Sequence, residues 1–216
     1  MKFDQNCQQC PRLATFLTAV KSQYPSYHAL PVAPFGAEQP HLLIVGLAPG
    51  MHGANATGRP FTGDYAGLLL YQALYDFGYS NQPTSTALGD GLELYNARIT
   101  NAVKCLPPQN KPIGAEIKQC NAYLAAELQA LAQTAVILVL GNIAHQAVLK
   151  AYNLKLNSAR FAHNSVFSLP DGRYLVSSYH CSRYNVQTNR LTKAMFNEVF
   201  ATIQELIRAI QRSLRT

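Results

Sequence analysis

Four short apolar runs, each followed by a segment with helical periodicity, constrain the fold of this chain more than any other feature. The runs occupy residues 42–46, 97–103, 135–140 and 174–178. Their apolar character is continuous rather than alternating, which is typical of parallel strands buried on both faces. Helical patterns lie at 11–23, 64–78, 114–133, 142–152 and 190–213. This alternation predicts an α/β fold, a three-layer α/β/α sandwich with a central four-stranded parallel sheet.

The length and composition fit one globular unit. A chain of 216 residues, 48% hydrophobic and 13% charged, can bury one sizeable core, so we predict a single domain over residues 1–216. No stretch reaches the roughly 18 apolar residues that a membrane-spanning helix needs. The first residues lack the apolar segment of a secretion signal, and we therefore expect a cytoplasmic protein.

The five cysteines favour a metal centre over disulfides. An odd number without a secretion signal argues against a disulfide framework. Cys7 and Cys10 form a CxxC pair, and Cys105 and Cys120 bracket fourteen residues that include three prolines. Four thiolates suit zinc or a [4Fe–4S] cluster, and the spacing alone also allows buried, unliganded thiols. Cys181 stands apart from the two pairs.

Glycine-rich and polar segments follow the predicted strands. The segment GLAPG covers residues 46–50, FTGDYAG covers 61–67, and YHCSRYN covers 179–185. Ligand sites of open α/β sheets lie beyond the carboxyl ends of the strands. Glycines there let the backbone approach a ligand closely, although many α/β enzymes share this feature. The sequence therefore predicts a binding site at this edge.

The positive charge is concentrated in the last third of the chain. Residues 1–149 hold eight Lys and Arg against eight Asp and Glu, whereas residues 150–216 hold ten against three. A basic region of this kind suits a polyanion such as nucleic acid. A solvated helix face would have the same composition, so charge alone does not decide.

Taken together, these segments resemble the uracil-DNA glycosylase superfamily, in particular its iron–sulfur branch. The resemblance extends from Cys7 to Thr192 and includes TGRPFTGDYAG, ITNAVKC, LPPQNKP and YHCSRYNVQTNRLT. The chain resembles family 5 more than family 4, because Leu47 stands where family 4 has an acidic residue. The chain departs from the family pattern at three positions. Gly50 stands in place of Ala, Ala56 in place of Arg and Cys181 in place of Pro.

The resemblance implies a base excision repair enzyme that flips uracil out of DNA and hydrolyses its glycosidic bond. Phe61 would stack on the base, and the Asn101 amide would pair with O4 and N3–H of uracil. His180 would donate to O2 as negative charge builds there. Asp64 would position water and stabilise the sugar cation, although it also suits a helix cap. Deaminated purines such as hypoxanthine and xanthine are further expected substrates.

The remaining expectations concern the pocket, the DNA and the metal. The expected substrate-binding residues are Gly46, Ala48, Gly50, His52, Asn55, Phe61, Asn101 and Ser182, of which His52 and Asn55 are alternatives to Asp64 in catalysis. The expected DNA contacts are Lys111, Arg183, Tyr184, Asn185, Arg190 and Lys193, the three at 183–185 filling the gap that the flipped base leaves. The resemblance implies a [4Fe–4S] cluster on Cys7, Cys10, Cys105 and Cys120.

We expect the partner to be double-stranded DNA, with single-stranded DNA also accepted, and the protein to act as a monomer in a prokaryotic cytoplasm beside the nucleoid. Two other classes fit part of the pattern. An iron–sulfur redox protein explains the cysteines, and a zinc-stabilised nucleic-acid-binding module explains the cysteines and the charge. Neither explains the FTGD segment or Asn101.

Overall fold

Six strands form one sheet in the computed structural model, which describes residues 3–213. The strands are β1 (Phe35–Gly36), β2 (Leu42–Gly46), β3 (Ala97–Asn101), β4 (Val136–Leu140), β5 (Ser165–Ser168) and β6 (Tyr174–Ser178). Their order across the sheet is β1-β3-β2-β4-β6-β5. The four inner strands are mutually parallel, which confirms the predicted central sheet.

The two outer strands correct the predicted number of four. Both β1 and β5 pair antiparallel with their neighbours and complete the edges of the sheet. Strand β1 has only two residues, too few to show any periodicity. Strand β5 alternates between half-buried and exposed positions, so it lacks the continuous apolar run of an inner strand. Strand β3 also ends at Asn101, earlier than the apolar run that predicted it.

Helices cover both faces of the sheet, as a three-layer sandwich requires. The helices are α1 (Pro11–Gln23), α2 (Ala54–Thr57), α3 (Tyr65–Asp76), α4 (Gly114–Ala130), α5 (Asn142–Ala151), α6 (Arg183–Gln187) and α7 (Lys193–Ser213). On one face, Ile44 and Leu138 of the sheet pack with Leu70 of α3 and Phe200 of α7. On the other face, the core joins the alternate residues of the same strands to α4 and α5.

The N-terminal helix lies outside this sandwich. One side of α1, carrying Leu13, Leu17 and Val20, packs against the segment that follows β3 and against Tyr123 of α4. Pro11 occupies the first turn of α1, where its missing N–H leaves no helical hydrogen bond unmade. No helix within residues 3–213 is long and apolar enough to cross a membrane.

The parallel strands bring four chain segments to one edge. Strands β2, β3, β4 and β6 end in register, and Gly46 pairs with Asn101 while Leu140 pairs with Ser178. The loops that continue from these ends therefore meet above the sheet. This is the edge at which the sequence predicted a ligand site.

Candidate active site

A cavity of about 250 Å³ opens at this edge, between the loops after β2, β3 and β6. Seven of the predicted site residues line it, namely Ala48, Gly50, Phe61, Asp64, Asn101, His180 and Ser182. Its other lining residues are Leu47, Ala54, Ala66 and Asn110. The sequence motifs at 46–50, 61–67 and 179–185 thus form one pocket, although they are far apart along the chain.

Phe61 is held in the pocket wall by close backbone contacts. Its φ of 55° lies in the left-handed region, a strained conformation that is concentrated at functional sites. A Cβ atom on Gly67 would lie 1.8 Å from the Phe61 carbonyl oxygen, and one on Gly46 would lie 2.7 Å from its ring. Both glycines are therefore needed for the ring to occupy this position. Gly46, a predicted substrate-binding residue, lies behind the ring and does not line the cavity.

Asn101 presents an unused amide at the end of β3. Its side chain is 3% exposed and makes no hydrogen bond within residues 3–213. A Cβ atom on Gly46 would lie 2.5 Å from its Oδ1, so the amide and the Phe61 ring share one corner of the pocket. The free amide lines the cavity and can pair with a ligand that offers both an acceptor and a donor.

His180 lies in the segment at 179–185, two residues beyond the end of β6. Its ring stacks beside that of Phe61, with centroids 6.0 Å apart and planes inclined by 27°. Burial lowers the pKa of His180 to about 4, because the charged imidazolium loses its solvation there. The imidazole is therefore neutral at physiological pH and carries one N–H donor.

Asp64 uses its two carboxylate oxygens differently. Oδ1 accepts a hydrogen bond of 3.1 Å from the Gly67 backbone N–H, and Asp64 is thus the N-cap of α3. Oδ2 faces the glycine-rich loop that follows β2, residues 46–58. A Cβ atom on Gly53 would lie 2.7 Å from Oδ2, and one on Gly50 would lie 3.5 Å from Oδ2. Burial raises the pKa of Asp64, although backbone N–H groups partly offset this effect. The capping interaction and a pocket-lining oxygen therefore coexist on one side chain.

Two further predicted pocket residues, besides Gly46, lie outside the cavity. His52 is exposed, and its Nδ1 forms a hydrogen bond of 2.8 Å with the Tyr27 hydroxyl. Its ring also meets Tyr24 and Tyr27 edge-on. Asn55 is fully buried in α2, where its Nδ2 donates to the Met51 carbonyl at 3.4 Å and its Oδ1 has no partner. The glycine-rich loop thus turns both side chains away from the pocket.

The segment after His180 forms the short helix α6. The Ser182 hydroxyl caps it by accepting from the Asn185 N–H at 3.4 Å. The Asn185 side chain donates to the His180 carbonyl at 2.8 Å, an interaction that fixes the loop carrying His180. Asn185 is therefore engaged within the protein, whereas Tyr184 is 68% exposed and projects from the surface.

The other predicted DNA contacts are dispersed. Arg183 and Arg190 are exposed, and their guanidinium groups lie over Tyr65 and Tyr179, respectively. Lys111 is exposed on the segment that follows Asn110. Lys193 pairs with Asp76 at 3.3 Å, so it stands at the opposite end of α3 from the cap at Asp64. The structure thus brings Arg183 close to the pocket and leaves Lys193 away from it.

Asn110 is a polar pocket residue that the sequence reasoning missed. It is the last residue of a short 3-10 helix (Pro108–Asn110), and both Gln109 and Asn110 have left-handed φ values, 55° and 57°. These two residues turn the loop back toward the pocket. Two polar residues after a Pro-Pro pair indicate a turn, but they do not tell which surface the turn meets.

The four predicted metal ligands line one enclosed pocket below the same loop. Cys7 and Cys10 come from the N-terminal segment, Cys105 from the segment that follows β3 and Cys120 from α4. Burial, followed by the charges of the neighbouring thiols, raises the pKa of Cys105 to about 12. Within residues 3–213, no three His, Cys, Asp or Glu side chains converge on the position of a single metal ion. Cys181 is fully buried in the main core.

The fold and the pocket define an α/β protein with a cavity at the carboxyl edge of its parallel sheet, lined by an aromatic ring, an imidazole, an amide and a carboxylate. The model of the uracil DNA glycosylase superfamily matches residues 33–204. The chain belongs to this superfamily, as its sequence motifs predicted.

Relatives point to one branch of it. The chain is 42% identical to the type-5 uracil-DNA glycosylase of Thermus thermophilus over 93% of each chain. It is also 42% identical to the type-5 enzyme of Pyrobaculum aerophilum, over 90% of this chain and 86% of the relative. The type-4 enzyme of Archaeoglobus fulgidus is 30% identical over 62% of this chain and 60% of the relative. The predicted similarity to family 5 is thereby confirmed.

Proposed function

We propose that this chain is a monofunctional uracil-DNA glycosylase of base excision repair, which hydrolyses the N-glycosidic bond of uracil in DNA and leaves an abasic site. The observation that carries the proposal is the convergence of Phe61, Asn101, His180 and Asp64 on one pocket in a member of this superfamily. The redox-protein and zinc-module alternatives do not account for these four side chains in one cavity.

Base recognition rests on Phe61 and Asn101. The Phe61 ring offers a hydrophobic face to a base that has left the stack. The Asn101 amide offers a donor to uracil O4 and an acceptor to N3–H, the arrangement that uracil requires. Cytosine reverses both groups, so the same amide rejects it. Thymine differs from uracil only by its C5 methyl group, and its exclusion depends on contacts around the Phe61 ring.

Bond cleavage rests on His180 and Asp64. As the C1′–N1 bond breaks, its electron pair moves to the base and positive charge develops on the sugar. The neutral His180 donates an N–H to uracil O2, where the negative charge accumulates. The Oδ2 atom of Asp64 stabilises the sugar cation and orients a water molecule. The water oxygen then bonds to C1′, and its released proton passes to the carboxylate.

The four clustered cysteines fit a [4Fe–4S] cluster, the group that the resemblance implies. Four thiolates are the usual ligand set of such a cluster, and the cysteines line one enclosed pocket. The cluster would fasten the N-terminal segment to the loop that carries Asn110, and it would supply no step of the hydrolysis.

Iron analysis tests the cluster separately from catalysis. Protein purified without oxygen should be brown and contain about four irons per chain. Cys120→Ser should lose iron and melt at a lower temperature. Cys181→Ser is the matched control, because this thiol lies in the core outside the cysteine pocket, and it should keep the full iron content. Zinc in place of iron would contradict the assignment.

The DNA-facing surface combines an aromatic side chain with dispersed cations. The exposed Tyr184 suits the gap that the flipped base leaves in the duplex, and Arg190 and Lys111 suit phosphates. The substrate would be double-stranded DNA, with uracil in single strands also accepted. The enzyme would act as a monomeric single domain in the cytoplasm, beside the nucleoid.

A panel of duplexes tests the proposed activity and its base range. Each duplex carries uracil, hypoxanthine, xanthine or thymine at one position, and alkali converts abasic sites to strand breaks. Uracil should give breaks and thymine should give none, while the two purines report whether the pocket admits larger bases. The absence of breaks with uracil would contradict the proposal.

A further inference from the structure

A turn with little packing of its own forms one wall of the base pocket. Gln109, Asn110 and Lys111 are all exposed, although Asn110 also lines the cavity. The Asn110 N–H donates to the Pro107 carbonyl and the Lys111 N–H donates to the Pro108 carbonyl, each at 3.1 Å, and these bonds fix the shape of the turn. They do not fix its position against the cavity, which must come from contacts with other segments.

Arg12 of helix α1 supplies such a contact. Its Nη2 donates to the Lys111 carbonyl at 3.2 Å. Among residues 3–213, no other hydrogen bond joins the segment at 107–113 to a part of the chain outside α4. Arg12 also lies two residues after Cys10, so the N-terminal cysteine segment and the pocket turn meet at this one side chain.

Glu116, in the first turn of α4, holds the Arg12 guanidinium in place. The Arg12 Nε donates to Oε1 at 2.7 Å, and Nη2 donates to Oε2 at 2.8 Å. Oε2 also accepts from the Ile113 N–H at 2.9 Å, at the start of α4. Burial alone would raise the pKa of Glu116, but the hydrogen bonds from Arg12 and Ile113 lower it, so the carboxylate is charged. A bidentate pair of this kind fixes orientation as well as distance.

Other contacts keep the cysteine segment in place without Arg12. The buried side of α1 packs in a core that it shares with Tyr123 of α4. The Gln119 Nε2 donates to the Gln9 Oε1 at 2.8 Å, a second bridge between α4 and the CxxC turn. Loss of the Arg12 side chain should therefore leave α1 and the cysteine pocket assembled, while the turn at 108–111 loses its link to α1.

We infer that Arg12 is a positioning residue of the base pocket, which acts through the Asn110 turn and contacts neither the base nor the sugar. The inference rests on the proposed glycosylase function, in which the flipped nucleotide fills the cavity that Asn110 lines. Arg12 itself is not among the residues that line this cavity. A pocket wall that is held before the nucleotide enters favours the productive geometry, so the link should act on the rate of excision.

A double-mutant cycle separates positioning from stability and from charge. Single-turnover excision would be measured at saturating enzyme on one uracil duplex. Asn110→Gly removes the side chain and keeps the left-handed backbone, which glycine adopts freely. We expect Arg12→Met to lower the rate by about 10-fold, because misplacement of a pocket group by about 1 Å can cost up to about 10²-fold. Asn110→Gly should lower it at least as much, and Arg12→Met should add little to that loss in the double variant.

Arg173→Met is the matched control. Nε and Nη2 of Arg173 contact Oδ2 of Asp171 at 2.9 and 2.6 Å, a similar ion pair. Arg173 directly precedes β6, so it stands at the opposite edge of the sheet from the cavity. Arg173→Met should melt at a lower temperature than wild type and keep the wild-type rate. Arg12→Met should keep the metal content of wild type, measured on the preparations used for the rates.

Three results would overturn the inference. One is a wild-type rate in Arg12→Met. Another is a full additional loss from Arg12→Met in the Asn110→Gly background, which would assign Arg12 to a long-range effect of its charge on DNA. The third is a loss of metal in Arg12→Met together with the rate, which would assign it to the cysteine pocket. A wild-type enzyme that excises no uracil would instead overturn the glycosylase function, so the two failures are distinguishable.

Discussion

Asp64 offers the sharpest test of the catalytic arrangement, because its two oxygens have separable roles. Oδ1 caps α3 through the Gly67 N–H, and Oδ2 faces the glycine-rich loop at the pocket. The change Asp64→Asn keeps an acceptor for the cap and removes the charge. The change Asp64→Ala removes both. Comparing the two variants separates helix capping from catalysis.

The expected magnitudes follow from these contacts. Asn caps a helix about as well as Asp, whereas Ala in place of the cap costs about 1 kcal/mol. For a chain of this size, that loss lowers the melting temperature by roughly 2–4 °C. Burial raises the pKa of Asp64, so folding favours its protonated form and the charged form is destabilising at neutral pH. Asp64→Asn should therefore melt no lower than wild type.

The rate should respond differently from the stability. Both variants should lose roughly 10²–10³-fold in single-turnover excision, the range for removal of one positioned electrostatic group. DNA affinity should be equal or slightly improved, because a negative charge beside phosphates has gone. The assay pairs single-turnover excision on a uracil duplex with thermal melting of the same preparations. Full rate in Asp64→Asn would refute the catalytic role and leave Asp64 as a cap alone.

Four further changes probe the pocket and the DNA surface. His180→Ala should lose about 10²–10³-fold in rate. Because burial lowers the pKa of His180 to about 4, the pH profile of the wild-type rate should show no step near the ordinary histidine pKa of about 6.5. Such a step would contradict a neutral donor. Asn101→Asp should cut uracil excision, since a carboxylate cannot donate to O4, and an unchanged rate in both Asn101→Asp and Asn101→Ala would remove Asn101 as the reader. Gly46→Ala should abolish excision, because its Cβ would lie 2.5 Å from the Asn101 amide oxygen; an active variant would show that this corner of the pocket can rearrange. Arg190→Ala should weaken binding to every duplex and lower the salt slope by roughly one unit, and an unchanged slope would assign Arg190 to its contact with Tyr179.

The inner sheet could be predicted because burial on both faces leaves a clear trace in sequence. Residues 42–46 are continuously apolar, residues 174–178 begin with three successive apolar residues, and both segments form strands with those bounds. The edge strands leave no comparable trace. Strand β5 is half exposed, and β1 has two residues whose extended conformation depends on pairing with β3. The partners of β1 lie about 60 residues away in the sequence, at Arg98 and Ile99. A local sequence pattern contains no information about such distant partners.

Much of the pocket could be anticipated because it lies at strand ends, whose position the sheet dictates. Asn101 ends β3 and His180 lies two residues beyond β6, and parallel strands must bring such residues to one edge. The loops were less predictable. His52 turns outward, where its ring forms a hydrogen bond with the Tyr27 hydroxyl. Asn110 turns inward because Gln109 and Asn110 both have left-handed backbone conformations. Both orientations depend on contacts that are distant in sequence.

Hydrolysis of the uracil glycosidic bond can be measured most directly by following the products in ¹⁸O-labelled water. A duplex with one uracil would be incubated with excess enzyme, and the released base and the cut strand would be identified by mass spectrometry. Our account predicts free, unlabelled uracil and an abasic sugar that carries the label at C1′, with strand cleavage only after alkali. Intact uracil in the strand, or a strand that breaks without alkali, would contradict it.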